Sequence, residues 1–296
     1  MNSAIQTALD SWTPPIFTIA TLLISAAIYA RGFARLHRQM PDRFPIWRLA
    51  SFMAGIASLF VAIASPLEAL DDLLLQIHMT QHLILMLVAP TLMLAGAPAI
   101  AIVRGLPPRL AKAIVGPLLR SDAVRQIFAW LTDPLVCWIA FCAATWGWHL
   151  PAAFQLALRS DGWHVVEHAC FLTTALMFWY PVIQPWPSVA RWPRWAMLPY
   201  LLLADGQNTI LAALFMFSEH LIYPIYATAP RIAGFTPLGD QIVAGAIMWV
   251  PGSIFYLVPA ALIMFQMLAP QYLSRQSARE GDSHRRVAGQ LPATRW

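Results

Sequence analysis

Long apolar runs broken by short polar, proline-rich stretches repeat along this chain. Runs of about 20 residues are long enough to cross the hydrocarbon core of a bilayer as helices. The pattern predicts seven spans: residues 14–33, 46–64, one within 71–98, then 134–150, 164–184, 196–220 and 240–267. Pro14 and Pro15 fall at the start of the first, where the first-turn amides have no helical partner anyway. Between the third and fourth runs, over about 105–130, the period changes. Leu106, Leu110, Ile114 and Leu118 recur there against Arg109, Lys112, Arg120 and Arg125. That alternation predicts one or two short amphipathic helices lying on the membrane surface. Residues 151–163 read as a loop. The expected fold is an all-α polytopic membrane protein, with one seven-helix domain over 1–270 and a basic tail over 271–296.

Charge sets the orientation. Loop 1–2 carries Arg31, Arg35, Arg38, Arg43 and Arg48, and the stretch between spans 3 and 4 carries five more basic residues. Arg191 and Arg194 lie between spans 5 and 6, and Arg275, Arg279, Arg285, Arg286 and Arg295 lie in the tail. These alternate segments hold all the Lys and Arg except Arg159 and Arg231. Positive loops stay cytoplasmic, which puts the N-terminus outside and the C-terminus in the cytoplasm. The net charge of +5 thus reads as membrane topology and not as a nucleic-acid surface. Charged residues make up 11% of the chain, against about 25% for a soluble domain. No basic segment precedes the first run, so no cleavable signal is expected. The cysteines Cys137, Cys142 and Cys170 form no CxxC and indicate no disulfide framework.

That topology sorts the polar residues by depth. His78 lies about 10 Å in from the outer face and His82 about 16 Å in, at 1.5 Å per residue. Their i,i+4 spacing puts both imidazoles on one helix face. His149 ends the fourth span outward. His164, Glu167 and His168 share a face at the outer start of the fifth. Glu219 and His220 end the sixth outward, and Asp240 and Gln241 start the seventh. Six of the 8 histidines therefore fall in the outer half, and only His37 and His284 on the cytoplasmic side. Ionisable groups within a membrane mark a pathway or ligand site by default, and neutral imidazole is the commonest protein metal ligand. Met79, Met86, Met93, Met216 and Met248 add thioethers, which together with imidazole favour copper over magnesium or calcium.

Each residue also has a plain reading. His78 and His82 can bond between helices, His164 can be wet surface, and His149 can belong to an interfacial belt with Trp146 and Trp148. Asp240 can cap the seventh helix, and the methionines can fill the core. Asp205, beside Gly206, Gln207 and Asn208 in mid-span, suggests a broken helix or a proton path.

Three blocks carry a family resemblance: HMTQHLILMLVAPTLMLAGAP at 78–98, WHLPAAFQLALRSDGWHVVEHACFLTTALMFWYPVI at 148–183, and DQIVAGAIMWVPG at 240–252. Through them the chain resembles the CtaG-type assembly factors of cytochrome c oxidase, multi-spanning bacterial membrane proteins. The resemblance implies a plasma-membrane protein needed to make an active oxidase by helping copper reach its catalytic subunit. It also implies that subunit or other assembly factors as partners, beside the lipid bilayer. The positions that match are His78, His82, His149, His164, Glu167, His168, Asp240 and Gln241.

Three functions fit these residues. A copper-handling assembly factor would hold copper on His78, His82, His164, Glu167, His168 and His149, with Glu219, His220, Asp240, Met79 and Met248 as secondary candidates. A membrane oxidoreductase would use the same side chains for haem or a di-iron centre. A metal-free scaffold would use them only as hydrogen-bond partners. The first is favoured, and with it a metallochaperone or assembly role over an enzyme.

Overall fold

A computed structural model describes residues 3–230 and 236–269. Arg231 and the basic tail over 271–296 lie outside the described residues. All regular structure among the described residues is helical. A short α1 (Ser3–Ser11) precedes α2 (Ile16–Gln39) and α3 (Ile46–Ile63). The histidine-bearing α4 covers Leu75–Ala95. Then come α5 (Pro98–Gly105), α6 (Asp122–Leu131), α7 (Pro134–His149) and α8 (Pro151–Leu158). The chain continues through α9 (Asp161–Ile183), α10 (Met197–Phe217) and α11 (Pro237–Leu268).

Six of these, α2, α3, α4, α9, α10 and α11, are long and apolar enough to cross a membrane. The remaining expected span, α7, has 16 residues. At 1.5 Å per residue that is about 24 Å, short of the ~30 Å hydrocarbon core. It makes up a seventh span only together with α6, from which it is bent by 62°. The break follows from Asp133 and Pro134. Proline supplies no amide to continue the preceding helix, and the Asp133 carboxylate accepts from the Leu135 amide and so starts a new one.

The structure departs from the sequence pattern in two places. Residues 151–163 contain the helix α8, with Pro151 at its first turn and Phe154 fully buried. A two-turn helix is too short to stand out against a pattern of 20-residue runs. In addition, α2 continues to Gln39, so Arg31, Arg35 and Arg38 lie on its last turns and not in a loop.

Among the described residues, the basic segments meet at one end of the bundle. The Arg35 guanidinium donates to the Arg104 carbonyl, the Arg191 guanidinium donates to the Ala129 carbonyl, and Arg43 sits 5.9 Å from the Trp186 ring. At that end α2 and α5 cross at very short range. A Cβ on Gly32 would overlap the Ala101 carbonyl, and one on Gly105 would overlap the Ile28 carbonyl. Small residues are what allow two membrane helices so close.

Helix α4 carries a local distortion with a clear cause. Ile84–Val88 widens into a π turn just before Pro90. Pro90 has no N–H for the Met86 carbonyl four residues back. The Trp179 indole donates to that carbonyl instead, at 2.9 Å, and ties α9 to α4. Trp179→Phe keeps an aromatic ring and removes the donor. It is expected to cost about 1–3 kcal/mol, the desolvation penalty of an unpaired buried acceptor. A fall in the midpoint of thermal unfolding in detergent would show this, and an unchanged midpoint would refute it.

Candidate metal centre

The far end of α4 is fixed from across the bundle. Asp240, on α11, accepts from the amides of Leu75 (2.7 Å) and Gln76 (3.1 Å). Those are first-turn N–H groups of α4, which otherwise lack partners. Asp240 thus caps α4 and not its own helix, whose cap is Thr236. Gln241 braces the loop beside it, donating to the carbonyls of Phe215 and His220 and accepting from the Ile222 amide.

One turn into α4, His78 and His82 face α9, with ring centroids 4.3 Å apart. On α9 the rings of His164 and His168 lie 4.2 Å apart. The two pairs close on each other: His78 is 5.4 Å from His164 and 6.4 Å from His168, and His82 is 5.7 Å from His168. Glu167 lies between them, its Oε2 3.8 Å from Nε2 of both His78 and His82. That is too long for a hydrogen bond. It suits two donors on one ion, which stand roughly 3.4 Å apart when metal–ligand bonds are near 2.1 Å.

Asp71 joins from the segment before α4, its Oδ2 3.7 Å from His164 Nε2. The six donors form three triads: Asp71, His78 and His164; His78, His82 and Glu167; His164, Glu167 and His168. Within each triad the ligand atoms all lie within 4.8 Å of one another.

The cluster is buried, and its polar atoms lack partners from the protein. His78 and Glu167 are fully buried, and His164 is the most open of the set, its side chain 17% exposed. Among the described residues, both ring nitrogens of His78 and His82, Nε2 of His149, His164 and His168, and both Glu167 oxygens have no hydrogen-bond partner from the protein. Burial of that many unpaired polar atoms is costly. The aromatic wall of Phe154 and Phe171 packs directly on His78 and His82. Tyr223 stacks behind Phe154 at 3.7 Å. Toward the surface, Asp72 lies beside Asp71. Burial, with the neighbouring charge of Asp72, pushes the Asp71 carboxyl up to about 8.

His149 sits one layer deeper. Its ring is 5.8 Å from His82, and its Nδ1 lies 2.7 Å from the Thr145 carbonyl. Donation from Nδ1 leaves the Nε2 lone pair free, the arrangement of a metal-ready histidine. His82 and His149 line a cavity of about 20 Å³ together with Met79, Met86, Asn208 and Met248. Met79 and Met248, the two methionines among the secondary candidates, therefore lie next to the cluster and outside its triads.

The other candidates lie elsewhere. Helix α10 ends at Phe217, where Ser218 takes up a local turn with His220, and Glu219 and His220 are exposed beyond it. Asp205 does not break α10, which runs through unbroken. Asn208 alone of its polar group is buried, and it donates to the Met248 carbonyl. The cysteines stay apart from the cluster as free thiols. Sequence reasoning does not put Asp71 in the site. The signal present is an acidic residue two turns ahead of His78, but the intervening chain is not one regular helix, so helical spacing says nothing about it.

Fold and site together define a polytopic helical membrane protein with a histidine–carboxylate cluster buried at one end of its bundle. Residues 27–269 match the family model of the cytochrome c oxidase caa3 assembly factor, Caa3_CtaG, and the chain belongs to that family. It is also 23% identical over 252 residues to an uncharacterised protein of Mycobacterium bovis, covering 83% of this chain and 37% of that one. An uncharacterised protein of Mycobacterium leprae is 21% identical over 254 residues, again 83% of this chain and 38% of the relative. The chain thus spans little more than a third of the length of these relatives. No solved structure matches it significantly.

Proposed function

We propose that this oxidase assembly factor binds copper as cargo at the cluster of His78, His82, His164, Glu167 and His168 and passes it to the catalytic subunit of the oxidase. The cluster end faces outward from a bacterial plasma membrane, with the arginine-rich end in the cytoplasm, as the distribution of positive charge favours. The observation that carries the reading is the set of buried imidazole and carboxylate atoms without a partner, converging from two helices. A scaffold with no metal leaves the cost of those atoms unexplained. Imidazole donors flanked by thioethers suit copper. A small cavity adjoins the cluster at His82 and His149, lined there by Met79, Met86 and Met248. His164 is the most open donor, with Asp71 beside it, and is the side from which cargo reaches the buried ligands.

Metal analysis and an absorption spectrum of the full chain, purified in detergent from copper-supplemented cells, test this. Copper is expected as the dominant metal, without a haem band. Haem absorption, or a chain with no copper above background, would overturn the proposal.

A further inference from the structure

We infer that the cluster is built for two metal ions, bridged by Glu167, and not for one. This rests on the metal-binding reading above and adds the number and arrangement of ions. The six donors do not meet at one point. They fall into triads, and the triad of His78, His82 and Glu167 shares only Glu167 with the triad of His164, Glu167 and His168. Each of these has two imidazoles from one helix at i,i+4 spacing plus one carboxylate oxygen. A carboxylate has two oxygens, and both Glu167 oxygens are buried and unpartnered. Four imidazoles with a carboxylate exceed the four-coordinate shell usual for a single zinc-like ion. They are what two ions about 3.5–4 Å apart require.

The ring geometry agrees. Rings within a helix pair are 4.3 and 4.2 Å apart, whereas across the pairs they are 5.4–6.4 Å apart. The rings are thus closer within each helix pair than across the pairs, with Glu167 common to both, while His78 and His164 also come together in the triad with Asp71. Asp71 approaches the His164 side as a further oxygen ligand. A set of imidazoles and carboxylates with no thiolate suits divalent first-row ions such as Cu(II), Zn(II) or Fe(II).

Cu(II) loaded onto the full-length chain in detergent is the probe, with copper per chain and the integrated electron paramagnetic resonance signal as readouts. Two copper ions per chain are expected, with a signal far below the copper content because bridged Cu(II) ions couple their spins. His164→Gln with His168→Gln should leave one ion, with its full signal restored. Glu167→Gln should break the coupling, so that signal and copper content agree. One ion per chain with a full signal in the unmodified protein would overturn the two-ion site and leave the copper proposal standing. Two ions with a full signal would overturn the bridge. No bound copper would overturn the copper proposal itself. The unmodified chain alone distinguishes these outcomes, so a variant that fails to fold does not block the test.

Discussion

Replacing both His78 and His82 by glutamine is expected to remove at least half of the bound copper and to abolish support of oxidase maturation in a host lacking its own copy. Glutamine keeps a polar head of similar reach and can hydrogen-bond, but its amide is a poor ligand for copper. Loss of a partner that merely orients a ligand typically costs about 10–100-fold in metal affinity, so loss of two direct donors is expected to cost on the order of 100-fold or more. The fold should survive. Helix α4 is held by the Asp240 cap at one end and the Trp179–Met86 bond in the middle, and neither touches these two side chains. Gel filtration and circular dichroism of the variant check that point, while metal content and oxidase activity check the function. A correctly folded variant with unchanged copper and unchanged oxidase activity would sink the site assignment. A hydrogen-bonding role for the two imidazoles predicts that outcome, since glutamine can serve it.

The sequence makes half of this site readable and hides the rest. The helical pairs are legible because i,i+4 spacing is a local property: His78 with His82, and His164 with Glu167 and His168, must share faces wherever the helices go. That they lie toward one shared end of the bundle is legible too, because the alternation of basic segments assigns successive spans opposite directions. What local periodicity cannot carry is contact between elements far apart in sequence. Asp71 meets His164 across the whole stretch from α4 to α8, and Asp240 caps α4 from the last helix. Neither pairing leaves a trace in spacing. Proline is similarly double-edged. Pro90 announces a weak point in α4, but the remedy, an indole from α9, comes from another helix. Pro134 marks the start of a run that looks like a span. The length of α7 and its 62° bend from α6 emerge only in three dimensions. Apolar content alone would extend α10 through Glu219 and His220, and a serine-based turn at Ser218 takes them out to the surface.

The largest effect on stability is expected away from the site, at Gly105. Gly105→Val should destabilise the bundle by more than the about 1–3 kcal/mol typical of an overpacked core. The reason is what the new side chain would meet. At Gly105 the nearest neighbour is the Ile28 carbonyl on the backbone of α2, and at Gly32 it is the Ala101 carbonyl on α5. A flexible side chain can swing aside, but a carbonyl inside a helix cannot move without the whole helix. The two helices would have to separate, and with them the buried face of Tyr29, whose hydroxyl donates to the Gly96 carbonyl at 2.7 Å. At ~2–4 °C per kcal/mol for a chain of this size, a cost of about 3 kcal/mol lowers the melting temperature by roughly 6–12 °C. Gly206→Ala is the control. It lies inside α10 with nothing within 4 Å of a new Cβ, and alanine is favoured over glycine in a helix interior by about 1 kcal/mol. Thermal unfolding of both variants in detergent should therefore move in opposite directions. A Gly105→Val protein as stable as the parent would mean that α2 and α5 do not cross at the range found here. The glycine-to-alanine gain at position 206 would be untouched by that failure, because it depends on helix propensity and not on the crossing.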